Sequence, residues 1–485
     1  MKFRFILFSL VFLSLIFAGG FPLGGQSPRK ALEFLEDQEK PVFAENHNLP
    51  PLSHWRFLSP DVAKAFADDW GYALTLHVRP DFIEQLDDPD SAPGRIVRLA
   101  RDHPEVYSLQ LVVAPSRMFN YGLSHDDLPE GTFYRDADGN PVEGDYYFSP
   151  LAPNSAFVRI GRLFAGMIEE VERYAPVSII LNGGEYGLKK PYFDPRRIAG
   201  QDPAVMEAWR DDGRSWLEFT SSHKGRQERI VRRVLLRAAP EARYIHYSEV
   251  GGGHPRRKMI PDWEDHDFLY QPGVSDFAAP PLYFRHANSG FTGPRDMLSQ
   301  LLNARAQELA VGAEQAYYWV SAGWYRRDPD RIADVELYEG FLKMCYLAGG
   351  IGTIAGYFAA RPYQDPVEQS FPQFLAQGRV HAYFSHLDEF LFESRLLPGP
   401  DRHRWSRDLP AYEFPTGNGD RRVLARKHRD RDQWLVGAWA ADGRAGPVEV
   451  EIPSAGTLEL EAAPNTNVYM IEIVDGMPHK REPQP

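Results

Sequence analysis

The chain has 485 residues, 43% hydrophobic and 13% aromatic, enough apolar material for one large core with a smaller one beside it and too much for a disordered chain. A formal net charge of −13 argues against a nucleic-acid binder, which needs a strongly basic face to neutralise phosphates. The one cysteine, Cys345, excludes an intramolecular disulfide, and its place in the apolar helical pattern FLKMCYLAGG reads as a packed thiol.

At the start, MKFRFILFSLVFLSLIFAGG sets Lys2 and Arg4 before an apolar run of about thirteen residues that ends in small ones. That pattern suits a secretory signal peptide over residues 1–25 better than a membrane span, with a retained anchor as the alternative. The mature protein is expected outside the cytoplasm, secreted or periplasmic, with no membrane partner after cleavage.

From Trp55 onward, short apolar runs alternate with longer amphipathic ones. HWRFLSPDVAKAFADDWGYALTLHV is one such unit: a strand, Ser59 as N-cap with Pro60 behind it, a helix, and a strand over 72–78. Further strand-like runs are 106–113, 177–182, 243–248, 267–271, 316–321 and 350–357, about eight with the Trp55 run. Between them, FVRIGRLFAGMIEEVERY, GRQERIVRRVLLRAA and DMLSQLLNARAQELA space apolar residues as helices do. Near-continuous apolar strands alternating with helices predict a parallel sheet, and about eight units favour an α/β fold, a (β/α)8 TIM barrel over 26–408. A doubly wound open sheet is the competitor. No G-x-G-x-x-G follows a strand, so no dinucleotide is implied and no cofactor is expected.

In chain order, the first segment of chemical interest is RDADGNPVEGD, where Asp136, Asp138 and Asn140 alternate. Pro141 stands where a calcium loop requires Gly and no Glu closes the loop, so a hairpin turn around Asp138-Gly139 is the reading. Next, SIILNGGEYGL ends the fourth strand on Asn182, two glycines and Glu185. Barrel enzymes place their chemistry at this rim, and glycines there let a bulky substrate approach the carboxylate. RYIHYSEVGGGHP ends the fifth strand in the same way on Glu249, again followed by glycines. Neighbouring strands lie about 5 Å apart, so two carboxylates on adjacent staves can work as an acid/base pair. Asp276, in YQPGVSDF, is the rival, taken to follow the sixth strand. His246, His254 and His286 lack a short ligand spacing, and no catalytic metal is expected.

The predicted rim loops are aromatic, with Tyr186, Trp324, Tyr325, Tyr357, Phe358 and Tyr363. They are also locally basic, with His254, Arg256, Arg257, Lys258, Arg285, His286, Arg326, Arg327 and Arg361. Guanidinium forks match carboxylate or sulfate oxygens, so this cluster in an acidic chain points to an anionic ligand, unless the arginines pair with Asp262 and Asp328.

Beyond about residue 405 the pattern turns strand-like, with turn signals at Asp442-Gly443 and Pro453 to Gly456. A small antiparallel β-domain is expected over 409–476 and a disordered tail over 477–485.

LNGGEYG, the hairpin-like FYRDADGNPVEGDYYFSP and the small β-domain at the end together resemble secreted (β/α)8 glycoside hydrolases, over most of the chain from about residue 50. In the large retaining clan of such barrels, strand four ends in adjacent Asn-Glu and strand seven in a nucleophilic Glu. Here Asn182 and Glu185 are separated by two glycines, and WVSAGWYRRD carries no carboxylate at the expected place. The layout is more similar to barrels with the nucleophile on strand four and the acid/base on strand five. That resemblance implies Glu185 as nucleophile and Glu249 as acid/base, with the opposite roles open, in a two-step displacement on a polysaccharide or oligosaccharide. The rim residues expected to contact substrate are Asn182, Tyr186, His246, Tyr247, His254, Asp276, Arg285, His286, Trp324, Arg326, Tyr357 and Arg361, with His246 or Tyr247 also able to orient a carboxylate. Sulfated glycans such as fucans or carrageenans fit by resemblance. Two alternatives belong to other classes: a non-catalytic carbohydrate-binding barrel, and a polysaccharide lyase using Tyr247, His254 and Arg256.

Overall fold

The structure, a computed structural model, describes residues 28–54, 59–142, 147–182, 199–247, 273–279, 281–283, 301, 317–322, 333–349, 352–355, 367–397, 421–452 and 456–483. Among these, no helix is long and apolar enough to cross a membrane.

Among the described residues, nine short strands form one sheet: β1 (Leu52–His54), β2 (Leu74–Val78), β3 (Tyr107–Val113), β4 (Val177–Asn182), β5 (Arg243–Tyr247), β6 (Phe277–Ala279), β7 (Pro281–Tyr283), β8 (Tyr317–Ser321) and β9 (Gly352–Ala355). Every pairing in it is parallel, in the order β6-β5-β4-β3-β2-β1-β9-β8-β7. Since β6 ends at Ala279 and β7 begins at Pro281, the first and last strands of that order are one residue apart along the chain.

The expected runs at 72–78, 106–113, 177–182, 243–248, 316–321 and 350–357 carry β2, β3, β4, β5, β8 and β9. The sixth differs. The strand beside β5 is Phe277–Ala279, while 267–271 lies outside the described residues. Pro280 and Pro281 disguise this stretch as non-strand, although a proline is tolerated as the first residue of a strand.

The α-helices described from end to end are α1 (Pro28–Glu36), α2 (Pro60–Trp70), α3 (Ala92–Asp102), α4 (Asn154–Glu172), α5 (Pro203–Asp212), α6 (Trp216–Ala238), α7 (Val335–Leu347), α8 (Val367–Ser385) and α9 (Asp388–Phe392). Ser59 caps α2 as its sequence requires, with its side chain accepting from the Asp61 N–H and Pro60 in the first turn. Of the pattern at 296–310, only Leu301 is described. Cys345 is fully buried within α7.

Strand side chains alternate between two faces. One face meets the helices: Leu109, Leu111, Val113, Ile180 and Tyr244 share a core with Phe157, Ile160 and Phe164 of α4 and with Val231 and Leu235 of α6. The other face is concave. Val112 of β3, Ile179 and Leu181 of β4, Ile245 of β5, Ala279 of β6 and Trp319 of β8 form a single cluster, although β3 and β8 are four places apart in the sheet order.

A second sheet, with antiparallel order β10-β11-β12-β15-β16, comprises β10 (Ser394–Leu396), β11 (Arg421–His428), β12 (Gln433–Ala440), β15 (Asn467–Val474) and β16 (Met477–Arg481). The hairpin of β13 (Gly446–Ile452) and β14 (Gly456–Ala462) covers one side of it, with Val450, Ile452 and Leu460 packed on Val436 and Ile471. Its other side, through Leu424, Leu435 and Trp439, packs on Phe341, Met344 and Leu347 of α7. This sheet differs from expectation at both ends. It takes β10 from before residue 409, and residues 477–481, expected to be disordered, pair with β15. The reason for the second is the turn Asp475-Gly476, whose φ values of 51° and 79° match the two-residue hairpin reversal.

Candidate active site

The C-terminal ends of β4 and β5 are adjacent, and Asn182 is the register partner of His246. Of the residues expected to act there, Glu185, Tyr186, Glu249, His254, Arg285, His286, Trp324, Arg326, Tyr357 and Arg361 lie outside the described residues, and Tyr247 is described in its backbone alone. Asn182, His246 and Asp276 are described, and each takes a place other than the rim of the concave face.

Asn182 and His246 share the parity of Ile180 and Tyr244, so their side chains point toward α6. There they meet Glu228, which sequence reasoning missed. The Asn182 amide donates to Glu228 Oε2 at 3.1 Å and to the Tyr244 hydroxyl at 2.7 Å. The Tyr244 hydroxyl in turn donates to Glu228 Oε2 at 3.4 Å, and His246 Nε2 lies 3.5 Å from Glu228 Oε1. Asn182, Tyr244 and Glu228 are 0% exposed and His246 is 3%. Burial, reinforced by the Glu228 carboxyl, pushes the Tyr244 phenol well above its ordinary range, so it stays protonated and can donate. Asn182 is thus a buried partner of a protein carboxyl in this structure, where a sugar contact was expected.

A signal for Glu228 does exist in the sequence. Lys224, Gln227, Glu228, Val231 and Leu235 fall on one helical stripe, and all are at most 4% exposed. Charged residues in phase with Val231 and Leu235 mark a polar insertion into the helix–sheet layer.

Asp276 precedes β6, whose Phe277 pairs with Ile245, so it lies beside the beginning of β5 and away from the strand ends that carry the rim. Its carboxylate accepts from the Tyr244 backbone N–H at 2.8 Å and pairs with Arg232 of α6. It serves as a strand clamp there. The misplacement follows from taking 267–271 as the sixth strand.

Beneath the rim, the concave face is polar on one wall. The Ser53 hydroxyl donates to Gln110 Oε1 at 2.7 Å, and the Thr75 and Ser108 hydroxyls lie 2.9 Å apart. His77, paired in register with Gln110, is 5% exposed near the end of β2.

The chain after β3 is the part of the rim that is described at length. Bridges Phe133 to Phe148 and Arg135 to Pro141 make the expected hairpin, with Gly139 at φ 81° in its turn. The Asp136 carboxylate accepts from the backbone N–H groups of Asp138 and Asn140 at 3.0 and 2.8 Å, so it is spent on the turn. Phe133 stacks on Phe148 with centroids 5.3 Å apart, and Phe119 stacks on His125 at 4.2 Å. Tyr134 and Val142 pack on Val205 of α5 and Phe219 of α6, which fixes the hairpin against the helices that follow β4. Among the described residues, no group of three or more His, Cys, Asp or Glu side chains is placed to hold a metal ion.

No protein-family model and no curated protein matches this sequence. Several solved structures resemble it at low identity. A family 39 glycoside hydrolase from the gut symbiont Bacteroides cellulosilyticus WH2 is 12% identical with a TM-score of 0.39, over 85% of this chain and 77% of that one. A noncanonic maltogenic α-amylase, AmyB, from Thermotoga neapolitana is 10% identical with a TM-score of 0.41, over 94% of each chain. A cold-adapted β-galactosidase from Rahnella sp. R3 is 11% identical with a TM-score of 0.44, over 75% of this chain and 59% of that one.

Proposed function

We propose that this chain hydrolyses glycosidic bonds of a polysaccharide or oligosaccharide, with Glu185 and Glu249 as its carboxylate pair. The observation that carries the reading is the register of β4 and β5. Asn182 pairs with His246, and each glutamate follows its paired residue by three positions. The equal spacing along the sequence favours a pair drawn from adjacent strands, and neighbouring strands are spaced by about 4.8 Å, close to the separation of about 5–5.5 Å that a retaining pair needs.

The sheet order supports closure into a (β/α)8 barrel. Its end strands β6 and β7 count as one stave, and the apolar cluster of the concave face draws on β3, β4, β5, β6 and β8. In a closed barrel both glutamates belong to the C-terminal rim.

In the proposed reaction the Glu185 carboxylate attacks the anomeric carbon while Glu249 gives its proton to the departing glycosidic oxygen. Glu249 then takes a proton from water, which displaces Glu185 and releases the sugar. The polar wall formed by Ser53, Thr75, Ser108 and Gln110 supplies hydrogen-bonding groups below that rim. The arginines at 256, 257, 285, 326 and 361 favour an anionic or sulfated glycan, and the N-terminal apolar run favours export.

Glu185→Gln and Glu249→Gln test the pair. Each variant is expected to keep the wild-type melting temperature and to lose at least about 10³-fold in kcat, because neither amide can act as nucleophile or proton donor. Full turnover in both variants would remove the pair from the mechanism.

A further inference from the structure

We infer that the segment over 37–51, which joins α1 to β1, is a strap latched onto the corner between α8 and α9 by imidazoles and one carboxylate, and that acid releases it while the rest of the fold holds. The latch is independent of the carboxylate pair proposed above.

The strap contains neither helix nor strand, so what it touches must hold it. Its polar ties converge on one corner. His386 Nε2 donates to the Val42 carbonyl at 3.0 Å, and the Ala44 N–H donates to Ser385 Oγ at 2.9 Å. The backbone and side-chain amides of Asn48 donate to Asp388 Oδ2 at 2.6 and 3.1 Å. One turn before Ser385, the His381 imidazole hydrogen-bonds the Pro50 carbonyl. Between these ties the Phe43 ring stands edge-on to Tyr72 at 5.1 Å and to His381 at 5.9 Å, and Leu49 shares a core with Val380 and Phe384.

The corner suits neutral histidines and not charged ones. His47, on the strap, has its ring 6.1 Å from that of His381 and also faces His386, with Asp388 as the carboxylate beside it. The phenols of Tyr346 and Tyr72 complete the surroundings, and Glu45 of the strap is exposed. Other charges near the corner are matched elsewhere: Arg379 with Glu339 of α7, Lys40 with Asp69 of α2, and Glu389 with Arg431.

A protonated imidazole carries N–H on both nitrogens. His47 Nδ1 is buried without a hydrogen-bond partner, so a proton there is an unsatisfied donor. His381 already donates to Pro50, and its Nδ1 lies 2.6 Å from the Tyr346 hydroxyl, so a second proton displaces the hydrogen bond that Tyr346 donates. Burial lowers both histidines from their ordinary value, the direction this geometry requires. Once the strap opens, each regains an affinity near 6.5, so the open form binds more protons than the latched one. Opening is therefore favoured as pH falls below that value, by up to about tenfold per histidine for each pH unit.

Hydrogen exchange on the full chain, corrected for the pH dependence of free amides, reads the latch. Protection over 42–49 should fall at least about tenfold between pH 7 and pH 5, while protection of β3 is unchanged. The double variant His47→Gln with His381→Gln should keep its protection over that range. His47→Gln alone, at a partly exposed position, serves if the double variant does not fold, and should show a smaller fall than the wild type. Flat protection over 42–49 in the wild type would overturn the inference. So would an equal fall in the histidine variants, which assigns the acid response to Asp388, or an equal fall in β3, which makes the opening global.

Discussion

His381 of α8 is wholly buried, its Nδ1 2.6 Å from the Tyr346 hydroxyl and its ring edge-on to Phe43. Burial, with a smaller contribution from His47, pushes its imidazole down to about 3. The unfolded chain, with an ordinary histidine near 6.5, then binds more protons than the folded one between those values, so stability falls as pH drops through that window. The slope is on the order of 1.4 kcal/mol per pH unit from this residue. Urea midpoints at pH 7, 6 and 5 should fall for the wild type and fall less for His381→Gln, and parallel slopes would remove the residue from acid sensitivity. At this scale the sequence reveals some placements and hides others. Cys345 reads as buried because its neighbours are apolar at helical spacing, and it is. Asn182 and His246 do not reveal their face. VSIILN is apolar on both sides, as expected for a strand covered on each, so nothing in it says whether its last residue points to the helices or to the concave wall.

Among the elements, α7 shows how tightly the two sheets' supports are joined. Gly340 faces the second sheet so closely that a Cβ there would lie 2.0 Å from the Pro464 carbonyl oxygen and 2.8 Å from the Trp439 ring. Gly166, exposed on α4, has nothing within 4 Å. Gly340→Ala should therefore destabilise by about 2 kcal/mol or more, while Gly166→Ala should stabilise by about 0.5–1 kcal/mol through helix propensity. Denaturant midpoints for both variants check the pair, and equal effects would contradict the packing described. Strand and helix periodicity makes most of these elements legible. The exceptions have local causes: Pro280 and Pro281 mask the strand beside β5, and Asp475-Gly476 is a hairpin turn in a segment too short and polar to attract a strand assignment. Glu228 is hidden for a non-local reason, since its partners come from β4 and β5, 46 and 16 to 18 residues away in sequence.

At the scale of the whole molecule, an all-parallel sheet wrapped by helices and an antiparallel sheet docked on α7 share one apolar core. Arg426 spans their junction, donating to the carbonyls of Leu347 at 2.9 Å and Leu391 at 3.1 Å, so its buried charge meets carbonyls at the C-terminal ends of α7 and α9. The parallel architecture is legible from alternating runs because each strand and helix is a local pattern, and the position of two glutamates after adjacent strands follows from it. Carboxylate roles and the sugar are not legible, because both depend on separations of a few ångströms and on side chains far apart in sequence. The central claim is that the pair cleaves glycosidic bonds. The most direct measurement incubates the purified protein with neutral, uronate-bearing and sulfated polysaccharides, following reducing ends and near-ultraviolet absorbance together. The account predicts new reducing ends without absorbance from the wild type and none from Glu185→Gln or Glu249→Gln. Unsaturated, ultraviolet-absorbing products, or equal release by both variants, would contradict it.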